Sequence, residues 1–311
     1  MGGGDGPGPG GPPVTALVEV GTSAYAFVQP GGGWCVNNAG VVVGDRRTLL
    51  VDTAATKARA LALRDAVAAL DPRPPGLIVT THHHGDHHLG NAVFAPPATV
   101  VAHDAARPEM AARGTALRHV WPDVDWGDLP PALPAVTFTD RLTIRLGRCT
   151  VQLRHLGPAH TTNDVVAWLP EQRVLYAGDL VLPEHTPFIL MGSLPGSIAA
   201  TEALLELEPA VVVGGHGPVA GAEAVAATLR YLRWLDALAR AGRAAGATPL
   251  EVARCADLGE FAAWGEPERL VANLHRAYAE LAGAAPGAYL PSAAVFPDME
   301  AYHGGPLPCH A

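Results

Sequence analysis

A short apolar run, Leu77-Ile78-Val79, opens directly onto Thr80-Thr81-His82-His83-His84-Gly85-Asp86-His87-His88-Leu89-Gly90-Asn91, a segment dense in imidazoles. An apolar run of that length bounded by threonines reads as a buried strand, which places the histidine cluster in the loop at the strand's C-terminal edge. Loops at such edges are where α/β folds position their chemistry. Alternate side chains of an extended segment share a face, so His82 and His84 can meet one metal ion while His83 points away. The spacing H-x-H-x-D-H fits a single frame, because a shift by one residue puts Gly85 where the second histidine belongs. A histidine-rich turn can also be merely solvated, and the remainder of the chain argues against that.

Three later stretches end in residue types of the same kind. His160 stands in Leu156-Gly157-Pro158-Ala159-His160-Thr161-Thr162-Asn163-Asp164, after an apolar strand. Asp179 closes Val174-Leu175-Tyr176-Ala177-Gly178-Asp179, and His216 stands in Val211-Val212-Val213-Gly214-Gly215-His216-Gly217-Pro218. Each is weak alone, since a buried histidine is more often a satisfied core residue and Gly-Asp is a common turn. In this order, and with the first cluster, they resemble the metallo-β-lactamase superfamily of metal-dependent hydrolases over about residues 14–220.

The resemblance implies an α/β chain folded as a four-layer αββα sandwich. It implies that His82, His84 and His160 hold one metal ion, that Asp86, His87 and His216 hold the other, and that Asp179 bridges the two. It further implies that Asp86 is catalytic, orienting the attacking water and collecting its proton, and that Asp52 supports the metal loop through hydrogen bonds. Imidazole and carboxylate donors suit zinc, and iron or manganese would accept the same set, so two Zn2+ ions are the expected cofactor.

Composition sets the class of protein. Of 311 residues, 49% are hydrophobic and 16% charged, which allows a full core and argues against disorder. A net charge of -9 supplies no basic surface for a phosphate backbone, so nucleic acid is not an expected partner. Cys35, Cys149, Cys255 and Cys309 form no C-x-x-C pair, and free thiols in a reducing cytoplasm are expected. Residues 1–13 read as a disordered Gly/Pro leader without the marks of a signal peptide, and no later segment stays apolar long enough to span a bilayer. A cytoplasmic protein with no membrane partner is expected.

Short strands are predicted at Val14–Val20, Ala24–Val28, Val41–Val43 and Thr48–Val51, and a helix at Lys57–Leu70 that stops before Asp71-Pro72. A strand at Thr99–Ala102 and a helix at Ala105–Arg113 precede Trp121–Pro134, whose proline, aspartate and tryptophan predict a surface loop over the metal site. Strands at Thr143–Leu146, Thr150–His155, Val165–Leu169 and Val174–Ala177 complete a catalytic domain of residues 14–221. The mostly apolar stretch Leu180–Ser193 either packs into the core or lines a pocket, and His185, Phe188 and Met191 are its candidate substrate contacts. Beyond it Val225, Leu229, Leu232, Leu235 and Leu238 recur at helical spacing, Thr248-Pro249-Leu250-Glu251 is a capping-box start, and Leu270, Leu274, Ala277 and Leu281 form a further stripe. These predict a helical extension at 222–285 packing on the catalytic domain. Proline and glycine predict an irregular tail at 286–311.

True β-lactamases of the superfamily carry cysteine or serine where this chain has Asp179, so the resemblance disfavours antibiotic hydrolysis and looks more like the thioesterase, glyoxalase and lactonase branches. Leu180–Ser193, with Thr186-Pro187-Phe188 and Met191-Gly192-Ser193, and the helix predicted at Pro267–Leu281 look like the cyclase-thioesterases of aromatic polyketide pathways. That implies a small-molecule acyl substrate on an acyl carrier protein, whose ring closes by aldol condensation before release. A generic thioesterase, glyoxalase-like or lactonase hydrolase is the alternative, and a metal-binding scaffold protein is the non-enzymatic one.

Overall fold

The computed structural model describes residues 16–311, so the leader expected at 1–13 lies outside the described residues. Its first sheet takes seven strands in chain order: β1 (Ala16–Gly21), β2 (Ala24–Val28), β3 (Ala39–Val43), β4 (Thr48–Val51), β5 (Leu77–Val79), β6 (Thr99–His103) and β7 (Val136–Phe138). The β1 to β4 pairs are antiparallel and the β4 to β7 pairs parallel. In the second sheet β8 (Arg141–Leu146), β9 (Cys149–His155), β10 (Val165–Leu169) and β11 (Val174–Gly178) pair antiparallel in succession, and β12 (Val211–Gly214) joins β11 in parallel.

Side-chain alternation along these strands builds the layers. On β3 and β4, Val42, Leu49 and Val51 face the second sheet, whereas Val41 and Leu50 face Leu63 and Val67 of helix α1 (Lys57–Leu70). On β10 and β11, Val165, Ala167, Leu169 and Tyr176 meet the first sheet from the other side. Their neighbours Val166, Trp168 and Leu175 pack on Ala200, Leu204 and Val225 of outer helices. Two sheets with a helical layer on each outer face make the expected αββα sandwich. Each fully buried Leu or Val side chain in it contributes roughly 1.5 to 3 kcal/mol.

The remaining helices are α2 (Gly85–His88), α3 (Ala106–Arg113), α4 (Leu117–Val120), α5 (Leu194–Leu205), α6 (Ala222–Ala244), α7 (Pro249–Cys255), α8 (Arg269–Leu281) and α9 (Ser292–His303). The capping box at Thr248 forms as predicted, with the Thr248 side chain accepting from Glu251 N and the Glu251 carboxylate accepting from Thr248 N. Helices α6 to α9 share one apolar cluster with Trp34, Trp121, Trp126 and Leu129. Trp121–Pro134 is therefore not simply a surface loop, because three of its apolar side chains are buried against the C-terminal helices. Among the described residues no helix is long and apolar enough to cross a membrane.

Residues 286–311 depart from the irregular tail that composition predicts. Their breakers sit mainly outside a twelve-residue segment that forms α9, buries Val295 and Met299, and stops at Gly304 with φ of 89°. Averaging composition over the whole tail hides that segment.

Candidate metal centre

The site lies along one edge of the sandwich, where segments leaving the C-terminal ends of β4, β5, β11 and β12 meet the connection between β9 and β10. The segment after β5 bends at His82 and His83 and is extended again at His84, the N-cap position of α2, so Asp86 and His87 fall on that helix's first turn. His160 comes from the β9–β10 connection, Asp179 follows β11 directly, and His216 lies two residues past β12. Gly178, with φ of 53°, makes the turn that aims Asp179 inward, and a side chain on Gly215 would meet Asp179 Oδ1 at 1.8 Å.

Two sets of donors converge there. His82, His84, His160 and Asp179 form one, Asp86, His87 and His216 the other, with the ligating atoms of each set within 4.8 Å of one another. Asp179 reaches into both: Oδ1 is 3.1 Å from His87 Nε2, and Oδ2 is 3.4 Å from His160 Nε2 and 3.7 Å from His216 Nε2. Asp86 Oδ2 lies 3.3 Å from His216 Nε2. His160 Nε2 and His84 Nδ1 stand 2.8 Å apart. Among the described residues His82 Nε2, His87 Nε2 and Asp179 Oδ1 are buried without a hydrogen-bond partner, the last two approaching each other without the alignment of one. Each such orphan costs roughly 1 to 3 kcal/mol. A divalent cation satisfies donors of this kind together, so the residues fit a metal.

The outer ring nitrogens decide which nitrogen faces inward. His82 Nδ1 pairs with Thr81 Oγ1 at 3.0 Å, His87 Nδ1 with Asp52 Oδ2 at 2.8 Å, and His216 Nδ1 with the Gly32 and Gly33 carbonyls at 3.1 and 3.2 Å. The Phe188 carbonyl holds His160 Nδ1. His84 is turned the other way, its Nε2 3.3 Å from Met191 Sδ, which leaves Nδ1 for the cluster. Partners of this sort orient metal-binding imidazoles and raise their basicity. His83 turns aside, as the alternation predicts, and accepts from Asn163 Nδ2 at 3.0 Å.

Charge distribution agrees with coordination. Burial, then the surrounding imidazoles, push His82 and His84 well below the ordinary histidine value, leaving them neutral. Burial opposes ionisation of Asp179, but His87, His216 and His160 outweigh it and hold the carboxyl well below its usual range. Burial likewise works against a proton on His87, and Asp179, Asp86 and Asp52 together overcome it. A proton and a metal ion compete for that imidazole.

The family model for the metallo-β-lactamase superfamily matches residues 32–216, more than half of the chain. The chain belongs to the metallo-β-lactamase superfamily. Among similar proteins, the 2,4-dinitroanisole O-demethylase subunit alpha of Nocardioides sp. (strain JS1661) is 30% identical over 178 residues, 56% of this chain and 51% of that subunit. The alignment thus spans about half of the relative's length. The metallo-β-lactamase type 2 of Bacteroides fragilis is 22% identical over 220 residues, 68% of this chain and 82% of that enzyme. A solved metallo-β-lactamase from Pontibacter korlensis superposes with a TM-score of 0.57 at 22% identity, covering 71% of this chain and 99% of that one, and shows the shared fold.

In this superfamily member the two donor sets open into a cavity with about 850 Å³ of empty space, its mouth included. Phe188 and Met191 line it, as the sequence suggests. His185 does not: its Nδ1 pairs with the Pro183 carbonyl at 2.9 Å, and its Nε2 faces Glu266 Oε2 at 3.9 Å. The apolar stretch Leu180–Ser193 divides between both expected fates, since Leu182, Ile189 and Leu190 are buried in the core while Phe188 and Met191 face the cavity. Trp34, Trp121, Phe296 and Arg269 also line it; Trp121 opens the stretch expected over the metal site, and the other three were not legible as site residues. The nearest signal was the glycine run Gly31-Gly32-Gly33 before Trp34, since Gly32 has φ of 52° and a side chain there would meet His185 and Gly217 N.

Proposed function

We propose that this chain is a dinuclear-metal hydrolase acting on the ester or thioester carbonyl of a largely apolar, planar acyl group. The observation that supports it most is the convergence of seven donors in two sets, with Asp179 of the first lying 3.1 Å from His87 and 3.7 Å from His216 of the second, and with three buried donor atoms otherwise unpartnered. Divalent ions, two Zn2+ on the donor chemistry, supply when bound an acidified water and a polarised carbonyl. The chain's own residues do the rest. Asp86, held beside His216, accepts a hydrogen bond from the attacking water, fixes its direction and takes its proton. Trp34, Phe188 and Trp121 exclude bulk water and seat the acyl body.

In its finer form the activity is that of a polyketide cyclase-thioesterase: a flexible poly-ketone delivered by an acyl carrier protein folds against the aromatic wall, closes by aldol condensation and is then released. The aromatic lining supports that reading. It supports equally an aryl ether or aryl ester substrate, in keeping with the O-demethylase subunit, whose name specifies 2,4-dinitroanisole.

Metal content by plasma mass spectrometry, measured alongside turnover of phenyl thioacetate, tests the core of the proposal. Two ions per chain and hydrolysis are expected. Asp179→Ala should lose at least one ion and lower turnover by roughly a hundredfold or more, the usual scale for losing a central metal ligand. Two ions with no turnover of any ester or thioester would make the protein a metal-binding scaffold. For the finer form, a thioester-bound poly-ketone should lose water and gain aromatic absorbance, and free linear acid alone refutes ring closure.

A further inference from the structure

We propose that Arg269 forms an anion subsite in the wall of the metal cavity, seating a carboxylate at the end of the substrate remote from the reacting carbonyl. The substrate role rests on the hydrolase reading, whereas the binding itself does not. Arg269 is the first residue of α8 and is 2% exposed, yet it lines the cavity. Its guanidinium lies over the Trp34 ring, 4.2 Å from the centroid. That ring is itself fixed, because Trp34 Nε1 donates to the buried Glu268 carboxylate at 2.7 Å and the ring meets Phe188 edge-on at 5.2 Å. The cation is therefore held in place before any ligand arrives.

Its hydrogen bonding is incomplete. A guanidinium carries five N–H donors in a planar fork suited to carboxylates. Among the described residues only Nη1 donates, to the Thr186 carbonyl at 3.1 Å, and Nε has no acceptor. Glu266 Oε2 stands 3.7 Å from Nη1, beyond hydrogen-bond reach, and Glu266 does not line the cavity. A buried guanidinium with unused donors is an anion-recognition group, and arginine is the residue type suited to it.

The cavity's charge points the same way. Its lining carboxylates are Asp86 and Asp179, both members of the donor cluster, and the other charged side chain of the wall is Arg113. Away from the cluster the lining charges are thus two guanidiniums, Arg113 paired with Glu109 and Arg269 standing 3.7 Å from Glu266, neither of which lines the cavity. An aromatic or apolar body against Trp34, Trp121 and Phe188, with an anionic end on Arg269, matches these walls.

The test compares 2-naphthoate with 2-naphthamide, which differ in charge and little in shape, by quenching of tryptophan fluorescence in the metal-loaded protein. A charge-assisted pair predicts that the wild type prefers the carboxylate by roughly tenfold to a hundredfold. Arg269→Met should bring the two within about threefold, and Arg269→Lys, which keeps the charge without the fork, should fall between. The naphthamide affinity is the internal control for folding, and Arg269→Lys decides should Arg269→Met not fold. Equal binding by the wild type overturns the subsite. An undiminished preference in either variant also overturns it, assigning the carboxylate to the metal ions. Phenyl thioacetate turnover in the same preparations separates the two proposals: preference without turnover refutes the hydrolase alone, and turnover without preference refutes the subsite alone.

Discussion

Asp52 sits at the end of β4 with φ of 61° and gathers three contacts: Thr81 N on Oδ1, and Thr81 Oγ1 and His87 Nδ1 on Oδ2, all within 2.8 Å. One buried carboxylate thereby fixes both the start of the histidine loop and the tautomer of His87. Asp52→Asn places an amide N–H against His87 Nδ1–H or forces the ring to give up that proton. Affinity for the ion held with Asp86 and His216 should then fall roughly tenfold to a hundredfold, with the ion on His82, His84 and His160 less affected. Competition with a chromophoric chelator reads both, and unchanged affinity at both sites would refute the assignment. The donors were legible in the sequence because residue type and local spacing carry the chemistry, and a carboxylate at the end of Thr48–Val51 stood in the right place to support them. Trp34 and Arg269 were not, because their pairing exists only once segments over two hundred positions apart have met.

At the scale of elements, α8 acts as a clamp on the strand-like stretch before α5. Asn273 accepts from Ile189 N at 2.9 Å and donates to the Pro187 carbonyl at 2.7 Å, and Arg276 Nε donates to the Leu190 carbonyl at 2.9 Å. Arg269 holds Thr186 in the same row. Positions 269, 273 and 276 follow helical spacing, so one face of α8 fixes the stretch whose Phe188 carbonyl orients His160. Asn273→Ala leaves two backbone groups buried and unpaired, and should lower stability by about 2 to 4 kcal/mol in urea unfolding and weaken the ion at His160. Full retention of both would show that the clamp is redundant. The apolar stripe of α8 was readable from periodicity, whereas its polar contacts to a distant loop leave no local pattern.

Helix α1 ends on a different device. Asp71 accepts from Arg73 Nε at 2.9 Å and from Thr48 Oγ1 at 2.7 Å. The Arg73 guanidinium above all, with help from the Thr48 hydroxyl, holds the Asp71 carboxyl down to about 2. Because the folded value lies below the unfolded one, near 3.9, the contribution is complete above about pH 4 and disappears as pH falls through about 2. Asp71→Asn should therefore lower the urea midpoint at pH 7, and the gap from the wild type should narrow as pH falls from 4 towards 2. A gap independent of pH would assign the loss to shape and not to charge.

For the molecule as a whole, the short strands were legible from apolar runs and turn residues, whereas the four-layer sandwich was legible through the resemblance that the ordered histidine and aspartate motifs carry. The tail was not, since α9 owes its helix to burial of Val295 and Met299 against helices that composition does not register. The donors divide between the sheets: His82, His84, Asp86 and His87 belong to the first, and His160, Asp179 and His216 to the second. Neither half of the sandwich holds either donor set complete. Both sets are complete only when the apolar faces of the two sheets are packed together, which ties metal affinity to closure of the sandwich.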